Sequence, residues 1–238
     1  MRALILCLLA LCLHLAAPAS ANPLPREVTI AIINDVPSTR LAVALMEQAY
    51  ARLGIDMQVQ SMPSRRALHL ANRGDLDGDL FRIAAAAREY PDLIRVDYPL
   101  LEGKLYAVVR DPSITNLPDP KDAALKIAVR RGVLIAEHTA KQLGMHSVRT
   151  ESYEQIRNLL EHGRVDIGLI SVIEDLSPLT GSEWEQLHIL PEPVTHFTLY
   201  HYLHRSHAPL AAALVEVLSQ MEQEGVKNEL LQQVLTNQ

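Results

Sequence analysis

Two stretches of this chain say nearly the same thing. "NRGDLDGDLFRI" begins at Asn72 and "EHGRVDIGLISV" at Glu161; each follows an amphipathic helical run, breaks at a glycine (Gly74, Gly163), then gives two residues, an aspartate (Asp77, Asp166) and an apolar, β-like run. Glycine ends a helix because it accepts the left-handed conformation needed just past the last turn, and the apolar run that follows is what a strand buried under helices looks like. One such phrase fits any α/β protein. Two of them, each closing a unit of similar order, constrain the chain to a pair of similar α/β lobes.

The periodicity before each phrase supports the pairing. "VTIAIIN" (28–34) reads as a strand, and 38–54 as a helix with Leu41, Leu45, Ala49 and Leu53 on one face, Ser38 as its cap and Gly54 as its stop. "MQVQS" is a second strand and a helix from Pro63 to about Asn72 leads into the first phrase. After the proline-rich segment 111–122 the order recurs: strand "KIAVR", helix from about Val133 to Leu143, strand "SVRT", helix "YEQIRNLLEHG", strand "VDIGLIS".

Two further β-like runs, "GKLYAVVR" (103–110) and "FTLYHYLHR" (197–205), bracket the second unit, and two helical runs close the chain. A chain that crosses from lobe one near 103–110 and returns near 195–203 brings its final helices back onto lobe one. Two antiparallel crossings make a hinge, and a hinge between lobes makes a cleft that closes on a ligand. The expected organisation is residues 22–106 and 197–238 in lobe one and 107–196 in lobe two.

Residues 1–21 carry a basic start at Arg2, an apolar run from Leu4 to Ala17 and the triplet Ala19-Ser20-Ala21, the pattern of a cleaved export signal. Both cysteines, Cys7 and Cys12, fall inside it, so the remainder needs no disulfide and cysteine chemistry is excluded. The whole chain has a net charge of −6, and loss of Arg2 makes it more acidic. That balance argues against nucleic-acid binding.

The order of export signal, two α/β lobes and two crossings resembles the type II periplasmic solute-binding proteins, especially the polar-amino-acid-type receptors of ABC transporters. Within that family, "SYEQIRNLLEHGRVDIGLI" resembles the second-lobe segment in which a tyrosine-bearing helix leads to Gly-Arg-Val-Asp, and "KIAVRRGVLIAE" resembles the strand, glycine turn and helix that receive a ligand's carboxylate. The resemblance spans essentially the whole exported chain. It implies a periplasmic, monomeric receptor for a small molecule, without cofactor or metal, that serves an inner-membrane permease or a sensor. Two departures are informative. The Thr-x-x-Arg turn that grips an amino acid's carboxylate is missing, leaving Arg82 at the strand end and Arg88 beyond it. Ser171 stands where the family often has the aspartate that pairs with the ammonium group, which points to an anionic ligand without one.

In open α/β sheets the site lies beyond the carboxyl ends of the strands. The residues there are Asp35, Arg66 within "MPSRRAL", Arg82, Arg130, Arg131, Gly132 and Ser171. Arginine's planar fork suits a carboxylate, and the helix beginning near Val133 offers backbone N–H groups to the same anion. Each residue also has a purely structural reading. Arg82 pairs with Asp77 or Asp79, Arg66 is solvated on a helix's first turn, and Asp35 and Ser171 cap turns or helices. Strand alternation sends Arg130 and Arg131 to opposite faces, so at most one reaches the cleft. Asp77 and Asp166 read as structural, setting the turn between helix and strand.

His196, His201, His204 and His207 form no converging ligand set, and a polar or solvated face accounts for them. No catalytic signature such as G-x-S-x-G or H-E-x-x-H occurs. The expectation is therefore a non-catalytic receptor, with a periplasmic dehydratase or lyase on the same lobes as the alternative, since fold alone does not decide function.

Overall fold

The protein is described here by a computed structural model that covers residues 24–33, 36–117, 125–179 and 181–236. The segment read as an export signal, and Asp35, lie outside the described residues. The elements in chain order are β1 (Glu27–Ile32), α1 (Ser38–Arg52), β2 (Asp56–Ser61), α2 (Ser64–Arg73), β3 (Gly78–Ile83), α3 (Ala86–Glu89), β4 (Leu93–Arg95), β5 (Leu101–Val109), β6 (Lys126–Arg130), α4 (Leu134–Gln142), β7 (His146–Thr150), α5 (Tyr153–Glu161), β8 (Ile167–Ile173), β9 (His188–Ile189), β10 (Thr195–His204), α6 (Ala208–Gln223) and α7 (Val226–Thr236).

The doubled phrase has one structural meaning. In lobe one, β1 pairs in parallel with both β2 and β3; in lobe two, β6 pairs in parallel with both β7 and β8. Gly74 and Gly163 take positive φ angles of 76° and 62°, ending α2 and the turn after α5. The aspartates then close equivalent rings. Asp77 accepts from the Thr29 N–H at 2.7 Å while its own N–H donates to the Thr29 carbonyl, and Asp166 accepts from the Lys126 N–H at 2.8 Å while its own N–H donates to the Lys126 carbonyl. Each carboxylate thus satisfies the first strand of its lobe where the ladder begins, which is why both lobes carry the residue at one spacing.

The two lobes meet through a pair of long strands. The sheet order is β2-β1-β3-β10-β5-β8-β6-β7, with β10 antiparallel to β3, β5 antiparallel to β8, and β5 and β10 antiparallel to each other over Leu101–Leu105 and Thr195–Leu199. The outgoing and returning crossings are therefore hydrogen-bonded partners. α6 and α7 pack on α1, back on lobe one.

α1 buries Leu41, Leu45 and Ala49 at helical spacing. Its start corrects the sequence reading. Pro37 holds the cap position, Ser38 is buried in the first turn with no partner for its hydroxyl, and Thr39 Oγ1 donates to the Ile33 carbonyl at 3.0 Å. No helix among the described residues is long and apolar enough to cross a membrane.

Candidate functional site

The carboxyl ends of β3 and β6 face each other across the lobes. On the lobe-one side, Arg82 is buried and its guanidinium is already engaged. Nε and Nη2 donate to the two carboxylate oxygens of Asp79 at 2.8 and 2.7 Å, Nη1 donates to Ser64 Oγ at 2.5 Å, and Nη2 also reaches the Ser64 carbonyl at 3.3 Å. Of the two acids that the sequence offers as partners, the structure selects Asp79. Burial pushes the Asp79 carboxyl up from its ordinary value, against the attraction of Arg82.

The lobe-two side is built by β6, β8 and the start of α5. Ser152 caps α5 by accepting from the Gln155 N–H at 3.2 Å, and the Gln155 side chain returns to the Glu151 N–H at 2.9 Å. This box fixes Tyr153 in the first turn, where its hydroxyl meets Ser171 Oγ at 2.6 Å and its ring lies 5.3 Å from the Arg130 guanidinium carbon. Arg130 and Tyr153 are both buried. Burial raises the Tyr153 hydroxyl above its ordinary value, against the bond to Ser171 and the attraction of Arg130.

Near the strand ends the lobes touch through several polar contacts. Ser64 Oγ, fixed as acceptor by Arg82, donates its own proton to the Gly132 carbonyl at 2.8 Å; Arg65 pairs with Glu137 at 2.5 Å; and His138 Nε2 lies 2.8 Å from the Glu89 carboxylate. Glu137 also accepts from the Gly132 N–H at 2.9 Å. The backbone donor expected from the sequence to hold a ligand's anion is thus taken by the chain's own carboxylate.

Gly132 is the tightest point of this contact. It has φ 77°, and a Cβ there would sit 2.5 Å from both Cβ and Oγ of Ser64. Gly132→Ala is expected to strain the turn by about 1–2 kcal/mol and, by overlap with Ser64, to hold the lobes apart. Small-angle scattering should then show a larger radius of gyration than for the unmodified protein; an identical curve would mean that the lobes do not close at this point.

Two hollows lie beside the contact. The larger, about 970 Å³, lies between α1 and the start of α5 and is walled by Pro37, Thr39, Arg40, Arg130, Tyr153 and Glu154 among others. The smaller, about 50 Å³, is enclosed mainly by Phe81, Ile83, Leu134, Ile173, Phe197 and Leu199, with Arg82, Gly132, Tyr153 and Ser171 also on its wall. Ile33, Val36 and Tyr153 line both.

The residues singled out in the sequence divide accordingly. Arg82, Arg130, Gly132 and Ser171 come together around these hollows. Arg131 turns outward to Glu151 at 3.1 Å, and Arg66 is exposed and lines neither hollow. Ser171 lies inside β8 and bonds Tyr153 instead of capping a helix. Sequence reasoning did not single out Ser64, Glu137 or Tyr153. The S-x-x-Q spacing of Ser152 and Gln155 was a signal for the last; the other two act across the lobes and carry no local pattern. The histidines separate: His204 meets Ser206, His207 meets Asp77, and His201, expected on a polar face, is fully buried against Tyr50. Among the described residues no cluster of three or more His, Cys, Asp or Glu could hold a metal ion.

No protein-family model matches the chain. An uncharacterised protein of Shewanella oneidensis is 26% identical over 90% of this chain and 89% of its own length. Among solved structures, a histidine kinase sensor domain with similarity to periplasmic binding proteins superposes with a TM-score of 0.74 at 15% identity, covering 88% of this chain and 96% of that one. The amino acid ABC transporter substrate-binding protein AbpA from Streptococcus pneumoniae, bound to L-arginine, gives 0.70 at 15% identity over 89% and 95%. An ancestral amino-acid-binding protein, a precursor of cyclohexadienyl dehydratase, gives 0.70 at 15% identity over 87% and 94%. The chain has the two-lobed α/β fold of the type II periplasmic binding proteins, the architecture of the polar-amino-acid substrate-binding proteins of ABC transporters.

Proposed function

We propose that this protein is a non-catalytic periplasmic receptor that captures a small anionic solute between its lobes and presents it to an ABC-type permease or a membrane sensor. The observation that carries the reading is the hollow between the lobes, with the buried Arg130 stacked on Tyr153 in its wall. Both output routes have a structural neighbour, a transporter receptor and a kinase sensor domain. Export by removal of residues 1–21 and division into lobes at 22–106, 107–196 and 197–238 belong to the same reading.

A lyase or dehydratase needs a titratable acid or base beside its substrate. Of the carboxylates at the lobe contact, Asp79 and Glu137 are each held by an arginine, whereas Glu89 meets His138. The fold's use by the precursor of a dehydratase leaves the enzyme as the alternative.

A thermal-shift screen of the purified protein against carboxylates, amino acids and polyamines tests the reading, because a ligand selective for the folded state raises its stability by RT ln(1 + [L]/Kd), about 2.7 kcal/mol at a hundredfold excess over Kd. Carboxylates are expected to raise the melting temperature and ordinary α-amino acids to do so weakly or not at all, Ser171 offering no charge to an ammonium group. At saturation the radius of gyration should fall as the lobes close about β5 and β10. Tight calorimetric binding of a standard amino acid would remove the anionic part of the proposal.

A further inference from the structure

We propose that Glu174 is a pin at the hinge. From the end of β8 its carboxylate ties lobe two to the crossing strand β5 and to the last helix of lobe one, and so favours the arrangement in which the lobes touch. Glu174 and its partner Lys227 line neither hollow, so the device acts from outside the cleft and stands whatever solute the cleft takes.

Where β8 ends, the chain reverses within two residues. The Leu176 N–H donates to the Ile173 carbonyl at 2.9 Å and these two residues form an antiparallel bridge, so Glu174 and Asp175 are the centre of a tight turn. Their φ angles are 50° and 58°, the only positive values outside glycine among the described residues. A turn with both central residues left-handed favours Asn-Gly or Gly-Gly, because a Cβ crowds the following carbonyl oxygen. Such strain persists only where the surroundings over-determine the conformation.

Glu174 supplies the contacts that do so. Its N–H donates to the Glu102 carbonyl at 2.9 Å, its Oε1 accepts from the Glu102 N–H at 2.7 Å, and the same oxygen lies 2.7 Å from Lys227 Nζ. The first two bonds prolong the ladder between β5 and β8 one residue past Gly103 and Ile173. The third leaves the sheet. Lys227 stands in the first turn of α7, which packs on α1 and α6 and buries Val226 and Leu230. The pair is largely shielded, with side-chain exposures of 14% for Glu174 and 24% for Lys227, whereas the Asp175 side chain is 91% exposed. One end of this ion pair moves with a strand of lobe two and the other with a helix of lobe one, so opening the lobes stretches or breaks it.

The acid also has an acidic neighbour. Burial first, and then Glu222 and Glu174, push the Tyr98 hydroxyl up to about 12, which places both carboxylates near one hydroxyl of lobe one. Without Lys227, Glu174 keeps that neighbour and loses its cation, and the turn is repelled from the helices of lobe one.

Small-angle scattering from the protein without added ligand tests the pin. Lys227→Met and Glu174→Gln, the second of which keeps an acceptor for the Glu102 N–H, are each expected to give a larger radius of gyration than the unmodified protein. Lys227→Arg keeps the charge and should match the unmodified protein. Asp175→Gly relieves strain at the residue that holds no pin, and should raise the melting temperature while leaving the radius unchanged. Amide exchange distinguishes a hinge effect from a loosened helix, since α7 should stay protected in Lys227→Met. An unchanged radius in either Lys227→Met or Glu174→Gln would remove the pin. A larger radius accompanied by lost protection throughout α7 would make Lys227 an anchor of its own helix only. If Asp175→Gly enlarges the protein as the lysine change does, the shape of the turn sets the lobes and the ion pair does not.

Discussion

Arg82→Ala is expected to cost the fold about 3–5 kcal/mol, because it strands the Asp79 carboxylate in a site where both partners are almost completely buried. The penalty is the uncompensated charge, not the worth of the pair. Replacing both residues together by apolar side chains of similar volume should therefore cost much less than either single change, and urea denaturation of the two single variants and the double one measures this directly. Arg82→Lys keeps a charge but loses the two-pronged geometry on Asp79 and the contact with Ser64, and should fall between the unmodified protein and Arg82→Ala. A second effect follows from the chain of contacts. Arg82 occupies the Ser64 oxygen as acceptor and so turns its proton towards the Gly132 carbonyl of the other lobe. Losing Arg82 should loosen that contact as well as lobe one, so scattering from Arg82→Ala is expected to show a more open protein than the double variant's stability alone would suggest. A variant with unchanged stability and sharply weaker carboxylate binding would reverse the assignment and make Arg82 a ligand residue.

What the sequence made legible was local, and what it hid was long-range. Gly74 and Gly163 announce helix ends because the left-handed turn is a property of one residue, and Asp77 and Asp166 recur at one spacing because each satisfies the backbone of the strand beside its own. The two crossings were readable for a related reason: strands that bracket a complete α/β unit have to leave one lobe and return. Alternation was enough to say that Arg130 and Arg131 part company, but not which faces inward. It fails at Asp79 and Arg82, which strict period two would place on opposite faces. Against them, the register of β10 shifts between Tyr200 and Tyr202; such an irregularity adds local twist, and the long arginine side chain reaches back along the strand to the acid. Ser64 and Glu137 belong to contacts whose partners lie in the other lobe or across a turn, and no window of sequence contains both ends. Asp79 differs: it lies three residues from Arg82 and was one of the two partners the sequence offered, and the fold decides between them. Arginines and a helix start at strand ends read as a cradle for an anion, and the folded chain shows Asp79 on Arg82 and Glu137 on the Gly132 N–H.

Acid is expected to weaken the fold by about 3 kcal/mol through a single imidazole, that of His201. The ring is fully buried in the returning crossing strand, with Nδ1 3.0 Å from the Leu80 carbonyl and Nε2 2.8 Å from the Tyr50 hydroxyl. A carbonyl can only accept, so Nδ1 carries the proton and Nε2 receives the one from Tyr50; the neutral ring satisfies both contacts. Burial pushes the imidazole from its ordinary 6.5 down to about 4. Above pH 6.5 it is neutral whether the chain is folded or not, and its contribution is complete. As pH falls from 6.5 towards 4 the unfolded chain takes up a proton that the folded one refuses, so stability declines across that window and levels off below it. Other groups titrate in the same range, and burial of Asp79 acts with the opposite sign, so the quantity to measure is a difference. Urea denaturation of the unmodified protein and of His201→Gln, from neutral pH down to pH 4, cancels what the two share. Glutamine can donate to Leu80 and accept from Tyr50 but cannot be protonated. At neutral pH the variant should be somewhat less stable than the histidine protein because its packing is poorer, and the gap should close and reverse on acidification by about 3 kcal/mol in total. Parallel curves would show that His201 is not the acid-sensitive group. The location gives the effect its consequence for binding: β10 pairs with β3 on one side and β5 on the other, so a proton forced onto His201 disturbs both the strand that carries Asp79 and Arg82 and the crossing about which the lobes close.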